Sequence, residues 1–338
     1  MQLLVGNPTA QSGRNARRID EARRLLHLAG VDHDFLPTRP AGQTVADVAR
    51  ALSGGAYTAV IAMGGDGTFA EVAKGLLRAG ATIPLAMLPT GTANDQGKSF
   101  GMESSAAALP RNVEIVAAGH TTPFDAGRIT AYGAVDDELG QDYFFDSAGW
   151  GFSALVLRMR NEDRKLVGGI PLLRELYRDH AVYAGAVVRA LALSAVHEQP
   201  FEAEVHTSAG ATFFEDLLDL VVKNTRVYAG SWVLDPTGSP EDGEMDLVPF
   251  RGREEMITRS VVHLEQVPLQ ERHLAAVGRP LSEGLRSSWF DVHLRPRPLA
   301  QAPEAQLDGE EWIRAERYRI DVIRHALRLV VPVAIEGP

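Results

Sequence analysis

Two kinds of hydrophobic spacing alternate along the first 120 or so residues of the chain. Compact apolar runs predict buried strands, whereas apolar residues that recur every three or four positions predict amphipathic helices. The predicted strands are "QLLVG", "VDHDFL", "TAVIAM" and "IPLAML", and the predicted helices are "RNARRIDEARRLLHLAG", "VADVARAL" and "FAEVAKGLLRAG". Strands separated by helices in this way indicate a parallel sheet that is covered by helices on both faces.

The spacing changes beyond the first third of the chain, where short alternating segments dominate. Separated by Gly, Pro and Asp clusters, they predict a mostly antiparallel β domain with helical insertions around 154–196 and 253–285. We therefore predict an α/β domain over residues 1–122 and a β-rich domain over residues 123–324. The segment from about 325 to 338, which contains "LRLVVP", is expected to return to the first domain as a strand.

Composition and charge are those of an ordinary folded protein. The 338 residues are 45% hydrophobic, and their formal net charge of −10 comes without the basic cluster typical of nucleic-acid binding. Cysteine is absent, which excludes disulfides, thiolate nucleophiles and cysteine zinc sites. The start "MQLLVGNP" lacks the features of a signal peptide, and no apolar stretch reaches the roughly 20 residues of a spanning helix. We expect a cytoplasmic protein with no nucleic-acid partner.

The segment "MGGDGTF", residues 63–69, places three glycines and one carboxylate between a predicted strand and a predicted helix. Glycines let phosphate oxygens approach the backbone closely, and the N-terminus of a helix favours an anion. Asp66 would repel a phosphate unless Mg²⁺ or ordered water lies between them. The alternative is a tight turn in which Asp66 accepts hydrogen bonds from local amides. The segment matches neither a P-loop nor a dinucleotide-binding fingerprint.

Three other loops accompany this segment. "NPTAQSG" follows the first predicted strand, "LPTRP" the second, and "LPTGTAND" the strand after the glycine loop. Because the carboxyl ends of parallel strands meet at one edge of a sheet, the four loops are predicted to converge on one crevice. Each loop alone could be an ordinary connection rich in turn residues.

These segments, in this order, resemble the diacylglycerol kinase catalytic family, which includes sphingosine and ceramide kinases and soluble bacterial lipid kinases. The similarity continues through "FDAGRI", "FFDSAGWGFSALV", "VVKNTRVYAGSWVLDPTGSPEDGEMDL" and "LDGEEW", and is weakest across residues 251–300. The resemblance implies an α/β nucleotide-binding domain followed by a mostly antiparallel β-sandwich domain, with ATP and substrate in the cleft between them.

The resemblance also implies roles for individual residues. Glu310 matches the catalytic base, and Asp308 precedes it across a flexible glycine as a second catalytic carboxylate; the alternative for both is an acidic surface turn. Positions that match the family's nucleotide-binding residues are Thr38, Gly64, Gly65, Asp66, Gly67, Thr68, Phe69, Ala70, Thr92, Asn94, Asp95 and Asp125. A carboxylate that accepts the proton of the attacking hydroxyl suits phosphoryl transfer.

Two metal sites follow from the same resemblance. Asp66, Asp95 and Asp125 match the acidic network around the catalytic Mg²⁺, although Asp95 and Asp125 could instead serve only as loop-capping carboxylates. A second, structural metal would be held by the Asp242 carboxylate and the backbone carbonyls of Ser239 and Glu244. Oxygen ligands suit a hard cation such as Mg²⁺. The alternative for this segment is an acidic β-turn with no metal.

The sequence thus predicts a kinase that uses ATP and Mg²⁺ to phosphorylate a lipid hydroxyl. A kinase for a soluble hydroxyl compound and a catalytically silent lipid- or nucleotide-binding protein are the alternatives. Asp146 departs from the family pattern, which has Asn there, and the glycine run after "KN" reads Ala229-Gly230-Ser231. The segment 169–196 could wall an acyl-chain groove, lie on a membrane surface or pack on its own domain. The identity of the lipid, peripheral membrane contact and a homodimer are left open.

Overall fold

The strands and helices described below come from a computed structural model. The structure describes residues 1–8, 14–91, 94–159, 200–228, 232–233, 238–252, 283–297 and 301–333. A helix covers residues 152–159, at the start of the first predicted insertion. The rest of that insertion, the segment 169–196 and nearly all of the second insertion lie outside the described residues.

The first part of the chain forms the predicted parallel sheet. Strands β2, β1, β3 and β4 lie side by side in that order, and each neighbouring pair is parallel. The elements are β1 (Gln2–Gly6), α1 (Arg14–Leu28), β2 (His33–Pro37), α2 (Gln43–Leu52), β3 (Val60–Gly64), α3 (Asp66–Ala79), β4 (Leu85–Pro89), α4 (Asp95–Ser99) and α5 (Leu109–Ala118).

Helices α4 and α5 were not predicted. Helix α4 has only five residues, which is too short for a hydrophobic period to appear in the sequence. Helix α5 did carry a signal, because Leu109, Val113 and Val116 are spaced for one helical face and are all buried.

The central strands of the parallel sheet are buried on both faces. Consecutive residues of β1, such as Leu3 and Leu4, belong to two different core clusters. One cluster includes α2 and α3 residues, and the other includes residues of α1 and α5. Burial on both faces explains why these strands appear in the sequence as uninterrupted apolar runs rather than as alternating patterns.

The second part of the chain is antiparallel, as predicted. Its strands are β5 (Thr121–Tyr132), β6 (Glu138–Phe144), β7 (Ser147–Gly151), β8 (Phe201–Thr207), β9 (Gly210–Lys223), β10 (Val227–Tyr228), β11 (Trp232–Val233), β12 (Met245–Arg251), β13 (Leu285–Ser287), β14 (Trp289–Arg295), β15 (Ala305–Leu307), β16 (Glu310–Trp312) and β17 (Arg317–Val330). Side chains from most of these strands enclose one core, in which Trp150 and Tyr318 are the largest residues.

The long strands β5 and β17 connect the two parts. Near residue 130 of β5 their side chains enter the antiparallel core, whereas Phe124 and Leu327 belong to a core cluster of the parallel part. The last residues of β17 also lie beside β4, where Leu329 pairs with Leu85 in parallel. This is the region in which the sequence predicts that residues 325–338 return to the first domain, and the assignment of that segment to the first domain stays a prediction. The boundary between two domains at residue 122 stays a prediction.

The pairing of β5 with β17 is interrupted by a bulge between Ile323 and Leu327. Asp125 lies opposite this bulge and is completely buried. Its Oδ1 accepts a hydrogen bond from the His325 N–H (2.6 Å), and its Oδ2 accepts one from the Gly243 N–H (2.6 Å). His325 has a left-handed φ of 53°. Asp125 therefore holds the chain at the point where the two strands pass from one core to the other.

We predict that Asp125→Ala lowers the free energy of unfolding by about 3 kcal/mol, because two backbone N–H groups lose a charged acceptor. Asp125→Asn should restore only part of the loss, since an amide offers one acceptor oxygen where two N–H donors converge. Urea unfolding of the three proteins measures both values. A loss below about 0.5 kcal/mol in the alanine variant would remove Asp125 from this role.

A second buried carboxyl lies in the antiparallel part. Asp219 of β9 is 1% exposed, and its Oδ1 accepts hydrogen bonds from the N–H and the hydroxyl of Ser153. Its Oδ2 has no hydrogen-bond partner in the structure. Burial raises the pKa of Asp219 to about 8, although the bonds from Ser153 act in the opposite direction. At neutral pH this side chain is therefore mostly a neutral acid.

The raised pKa of Asp219 makes stability depend on pH. Between about pH 4 and the folded pKa of about 8, the folded chain keeps a proton that the unfolded chain has lost, so stability falls as pH rises. We expect Asp219→Asn to remove up to about 1.4 kcal/mol per pH unit of this slope. Urea unfolding at several pH values from 5.5 to 7.5 measures it. Identical slopes in wild type and variant would contradict the prediction.

Candidate functional site

The described beginnings of the predicted loops lie at the carboxyl edge of the parallel sheet. The N–H of Thr38, after β2, donates to the carbonyl of Gly6 at the end of β1 (2.9 Å). The N–H of Thr90, after β4, donates in the same way to the carbonyl of Gly64 at the end of β3 (2.8 Å). The described parts of the loops therefore begin at one edge, which is where parallel sheets bind ligands.

The glycine loop and the loop after β4 touch through their backbones. A Cβ atom built on Gly91 would lie 2.5 Å from the Cα atom of Gly65, and a Cβ on Gly65 would lie 3.3 Å from the Cα of Gly91. A Cβ on Gly64 would overlap the side chain of Thr68. Gly65 and Gly91 thus let the two loops approach each other, and Gly64 leaves room for the Thr68 side chain.

Gly67 has no such packing reason. It is exposed, and a Cβ built on it would meet nothing within 4 Å. Gly67 is the second residue of α3, so it borders the end of the helix where unpaired N–H groups and the helix dipole favour an anion. The open space at Gly67 fits a phosphate group lying against the backbone.

Asn94 links the two loops to Asp66. The residue has a left-handed φ of 53°, and its side-chain amide bonds to both the N–H (3.1 Å) and the carbonyl (2.6 Å) of Gly91. This arrangement directs the Asn94 N–H to Oδ2 of Asp66, at 2.8 Å. The second carboxylate oxygen of Asp66, Oδ1, is buried and has no hydrogen-bond partner in the structure.

The electrostatic setting of Asp66 fits a bound cation. Burial, and then the negative charge of Asp146, raise the pKa of Asp66 to about 6. A divalent ion at the unpartnered Oδ1 would favour the ionised form and would satisfy the orphaned oxygen. Within the described ranges no group of three or more His, Asp or Glu side chains could hold a metal alone. An Mg²⁺ ion here would take its remaining ligands from substrate phosphates and water, as Mg²⁺ commonly does.

Other predicted nucleotide contacts have different surroundings. Phe69 and Ala70 are buried in a core cluster, and the Phe69 ring packs edge-on against Phe124 and Phe145. The Phe69 N–H donates to the carbonyl of Gly65. Both side chains therefore pack beneath the glycine loop, and their predicted contact with a nucleotide stays a prediction. Asp95 is buried at the start of α4, and Thr92 lies outside the described residues.

Asp308 holds a strand break in the antiparallel part. Its carboxylate accepts hydrogen bonds from three consecutive backbone N–H groups, those of Phe145 (3.0 Å), Asp146 (2.7 Å) and Ser147 (3.1 Å). These residues form the break between β6 and β7. Burial, and then the charge of Asp146, raise the pKa of Asp308 to about 7 against these N–H bonds. Because both oxygens are engaged by the backbone, Asp308 has the geometry of a positioning residue, and its predicted catalytic role stays a prediction.

Asp308 and Gly309 also form the turn between β15 and β16. Both residues have a positive φ, of 49° and 81°, which is typical of a two-residue Asp-Gly hairpin. Glu310, the predicted base, is the first residue of β16 and is exposed. The position of Glu310 therefore follows directly from where the Asp308 carboxylate is held.

Several charged residues near these groups were missed by the sequence analysis. The pKa of Glu71 is raised by burial and also by the nearby charge of Glu310, while Lys74 lowers it. Lys74 forms an ion pair with Asp142 at 2.6 Å. Glu71 and Lys74 lie one turn apart on α3, and the sequence pattern of this helix is that of an ordinary amphipathic helix. The spacing alone gave no sign that this face meets the antiparallel part.

A buried ion pair completes this region. Lys223 Nζ lies 2.7 Å from Oδ1 of Asp146, and the two side chains are 2% and 6% exposed. One signal in the sequence pointed to this pair. Asp146 departs from the family pattern, and Lys223 ends an apolar strand, where a charge needs a partner.

Asp125 and Asp242, which were also predicted to lie at metal sites, are in other parts of the structure. Both oxygens of Asp125 are bonded to the backbone of Gly243 and His325, which is the geometry of the loop-capping alternative. Asp242 and Glu244 are ion-paired with one guanidinium, that of Arg286. Arg286 therefore already binds the Asp242 carboxylate, and the structural metal at Ser239, Asp242 and Glu244 stays a prediction.

Comparison with known proteins identifies clear relatives. Residues 2–129 match the family model of the diacylglycerol kinase catalytic domain. The "Probable lipid kinase YegS-like" of Pseudomonas putida is 30% identical over 301 residues, which cover 88% of this chain and 85% of that protein. The protein of the same name from Klebsiella pneumoniae is 28% identical over 326 residues, which cover 95% and 93% of the two chains.

A solved structure has the same fold. The crystal structure of a diacylglycerol kinase from Bacillus anthracis superposes with a TM-score of 0.68 and 17% identity, and the match covers 99% of this chain and 98% of the other. This confirms the predicted class, an α/β domain with a parallel sheet followed by a mostly antiparallel β region. None of the helices within the described ranges is both long and apolar enough to span a membrane.

The glycine contacts predict two opposite effects on stability. Gly91→Ala should lower the free energy of unfolding by about 1–3 kcal/mol, because its methyl group would overlap the backbone of Gly65. Gly67→Ala should leave stability unchanged or raise it by up to about 1 kcal/mol, since alanine is the better helix former. Thermal and urea unfolding of both variants measure this. Equal destabilisation would show that Gly67 is also a packing residue.

Proposed function

Because the chain belongs to the diacylglycerol kinase catalytic family, we propose that it transfers the γ-phosphoryl group of ATP to a lipid hydroxyl. The observation that carries the nucleotide part is at the start of α3. There the open backbone at Gly67 adjoins an Asp66 carboxylate with a buried, unpartnered oxygen. The lipid part rests on the curated relatives, whose names describe lipid kinases.

The glycine loop would bind the phosphates of ATP. The backbone at Gly67 and the first N–H groups of α3 offer hydrogen-bond donors without side-chain obstruction. Asp66 would hold Mg²⁺ through Oδ1 while the Asn94 N–H keeps its other oxygen in place. When bound, Mg²⁺ would neutralise phosphate charge as the γ-phosphoryl group is transferred.

Glu310 would act as the general base. The acceptor hydroxyl oxygen forms a bond to the γ-phosphorus, the bond from that phosphorus to the β–γ bridging oxygen breaks, and ADP leaves. The hydroxyl proton passes to the Glu310 carboxylate, which is exposed at the start of β16 and therefore accessible to a substrate. Phosphoryl transfer depends mainly on how the protein positions the reacting groups, and the Asp308 hairpin would position Glu310.

The acceptor is tested by incubating the purified protein with γ-labelled ATP, Mg²⁺ and separate acceptors. The panel contains diacylglycerol, a sphingoid base, ceramide, a glycerophospholipid and soluble sugars and nucleosides. Label in the lipid extract supports the proposal. Label in a soluble product supports a kinase for soluble acceptors, and ATP binding without transfer supports a silent binding protein.

We expect Glu310→Gln to lower kcat by about 100-fold or more, since one proton acceptor contributes roughly 10²–10⁴-fold. The Michaelis constant for ATP should change little, because Glu310 is not part of the phosphate loop. The neighbouring Glu311→Gln is the matched control and should retain activity. Full turnover in folded Glu310→Gln would show that another group accepts the proton.

A further inference from the structure

We propose that Lys223 and Asp146 are positioning residues that hold the Glu310 hairpin in register with the nucleotide loop. The inference rests on the proposed kinase function and concerns how its two halves are aligned. It is carried by hydrogen bonds that short backbone segments join into one path, with the Lys223–Asp146 ion pair at its centre.

The ion pair is buried at a point where burial is costly. Lys223 Nζ donates to Asp146 Oδ1 (2.7 Å), to the carbonyl of Val227 (2.8 Å) and to the hydroxyl of Thr225 (3.4 Å). The Thr225 hydroxyl also donates to Asp146 Oδ1. The attraction between two buried charges rarely compensates for the free energy that is lost when both charges leave water. Such pairs can instead serve to fix one arrangement of the chain.

On one side, the pair reaches the hairpin that carries the base. Asp146 belongs to the strand break whose three N–H groups bind the Asp308 carboxylate. The side chain of Asp146 is held by Lys223, and its N–H is held by Asp308 at 2.7 Å. The hairpin turn that begins with Asp308 leads directly to Glu310. A shift of Asp146 would therefore move the base.

On the other side, the pair reaches the nucleotide loop. The Val227 carbonyl accepts from Lys223, and the Val227 N–H donates to the Ser99 hydroxyl (3.2 Å) at the end of α4. Helix α4 begins directly after Asn94, whose N–H binds Asp66 at 2.8 Å. The same lysine thus connects the predicted phosphate-binding loop to the predicted base.

Lys223 is not placed to bind phosphate itself. It is 2% exposed, and its ammonium group donates to three groups of the protein. A lysine that neutralises a substrate phosphate needs an accessible ammonium group. Its effect on catalysis must therefore pass through Asp146 and Val227.

The test compares Lys223→Met, Asp146→Ala, the double variant and the conservative Asp146→Asn. Leu294→Ala is the control, because Leu294 is a buried core residue of β14 outside the series of hydrogen bonds. Kinetics with the acceptor found for the wild type are measured below the melting temperature of every variant. Thr225→Val, which removes one hydroxyl and keeps the shape, is the milder variant should the others fail to fold.

We expect Lys223→Met and Asp146→Ala each to lower kcat by about 10- to 100-fold, with the Michaelis constant for ATP within roughly threefold of wild type. The double variant should fall no further than the single variants, since the pair acts as a unit. Asp146→Asn, which keeps an acceptor for Lys223, should recover most of kcat, and Thr225→Val should lose a few-fold. Wild-type kcat in the folded single variants, as in Leu294→Ala, would overturn the proposal, and so would multiplied losses in the double variant.

Hydrogen exchange separates this proposal from the kinase function. Lys223→Met, or Thr225→Val in its place, should raise amide exchange in residues 95–99 and 305–312 together, and Leu294→Ala should not. If the wild-type protein transfers no phosphate, the function fails while the exchange result still decides the network. Unchanged exchange in both segments would overturn the network even in an active enzyme.

Discussion

The structure depends most on the pairing of β5 with β17. These two strands make the register that runs from the antiparallel core to the parallel sheet, and the bulge at residues 323–327 lets them turn between the two. The turn requires a charged group in a buried place, because the Asp125 carboxylate must accept two backbone N–H bonds from different loops. This junction sets the relative position of the two halves of the candidate site, because the glycine loop lies at the edge of one part and the hairpin with Glu310 belongs to the other.

Burial of carboxyl groups is the common theme of the site. Asp66 and Asp308 both have raised pKa values, and in both cases burial is the main cause and the charge of Asp146 the next. Their surroundings differ in one respect that separates their roles. Asp308 is satisfied by three N–H groups, whereas Asp66 keeps one oxygen without a partner. A buried carboxylate whose oxygens accept hydrogen bonds from the backbone holds that backbone in place. A buried carboxylate with an unpartnered oxygen indicates a binding site for a ligand.

Local sequence patterns predicted the parallel sheet well because each buried strand and amphipathic helix carries its own hydrophobic spacing. The glycine loop and Asn94 could also be located, since turn residues at the ends of strands are visible in sequence. The resemblance supplied Glu310, whose three-residue surroundings are otherwise an ordinary acidic turn. Lys223 and Arg286 could not be matched to their ion-pair partners, which lie 77 and 42–44 positions away in sequence. The setting of Glu71 was equally hidden, because the like charge of Glu310 that acts on it lies 239 positions away. Phe69 lies inside the glycine motif, yet its side chain faces the core, which the motif alone did not indicate.

The β5–β17 junction also bears on how the chain is made. Thr121 pairs with Val330, so the last strand of the parallel part becomes available only after residue 330 has left the ribosome. Pairings between distant parts of a sequence form slowly, because a long loop must close before any contact rewards it. Until then, the parallel part of the chain would have the outer edge of β4 uncovered. An unpaired strand edge of this kind is where chaperones or premature association would act first.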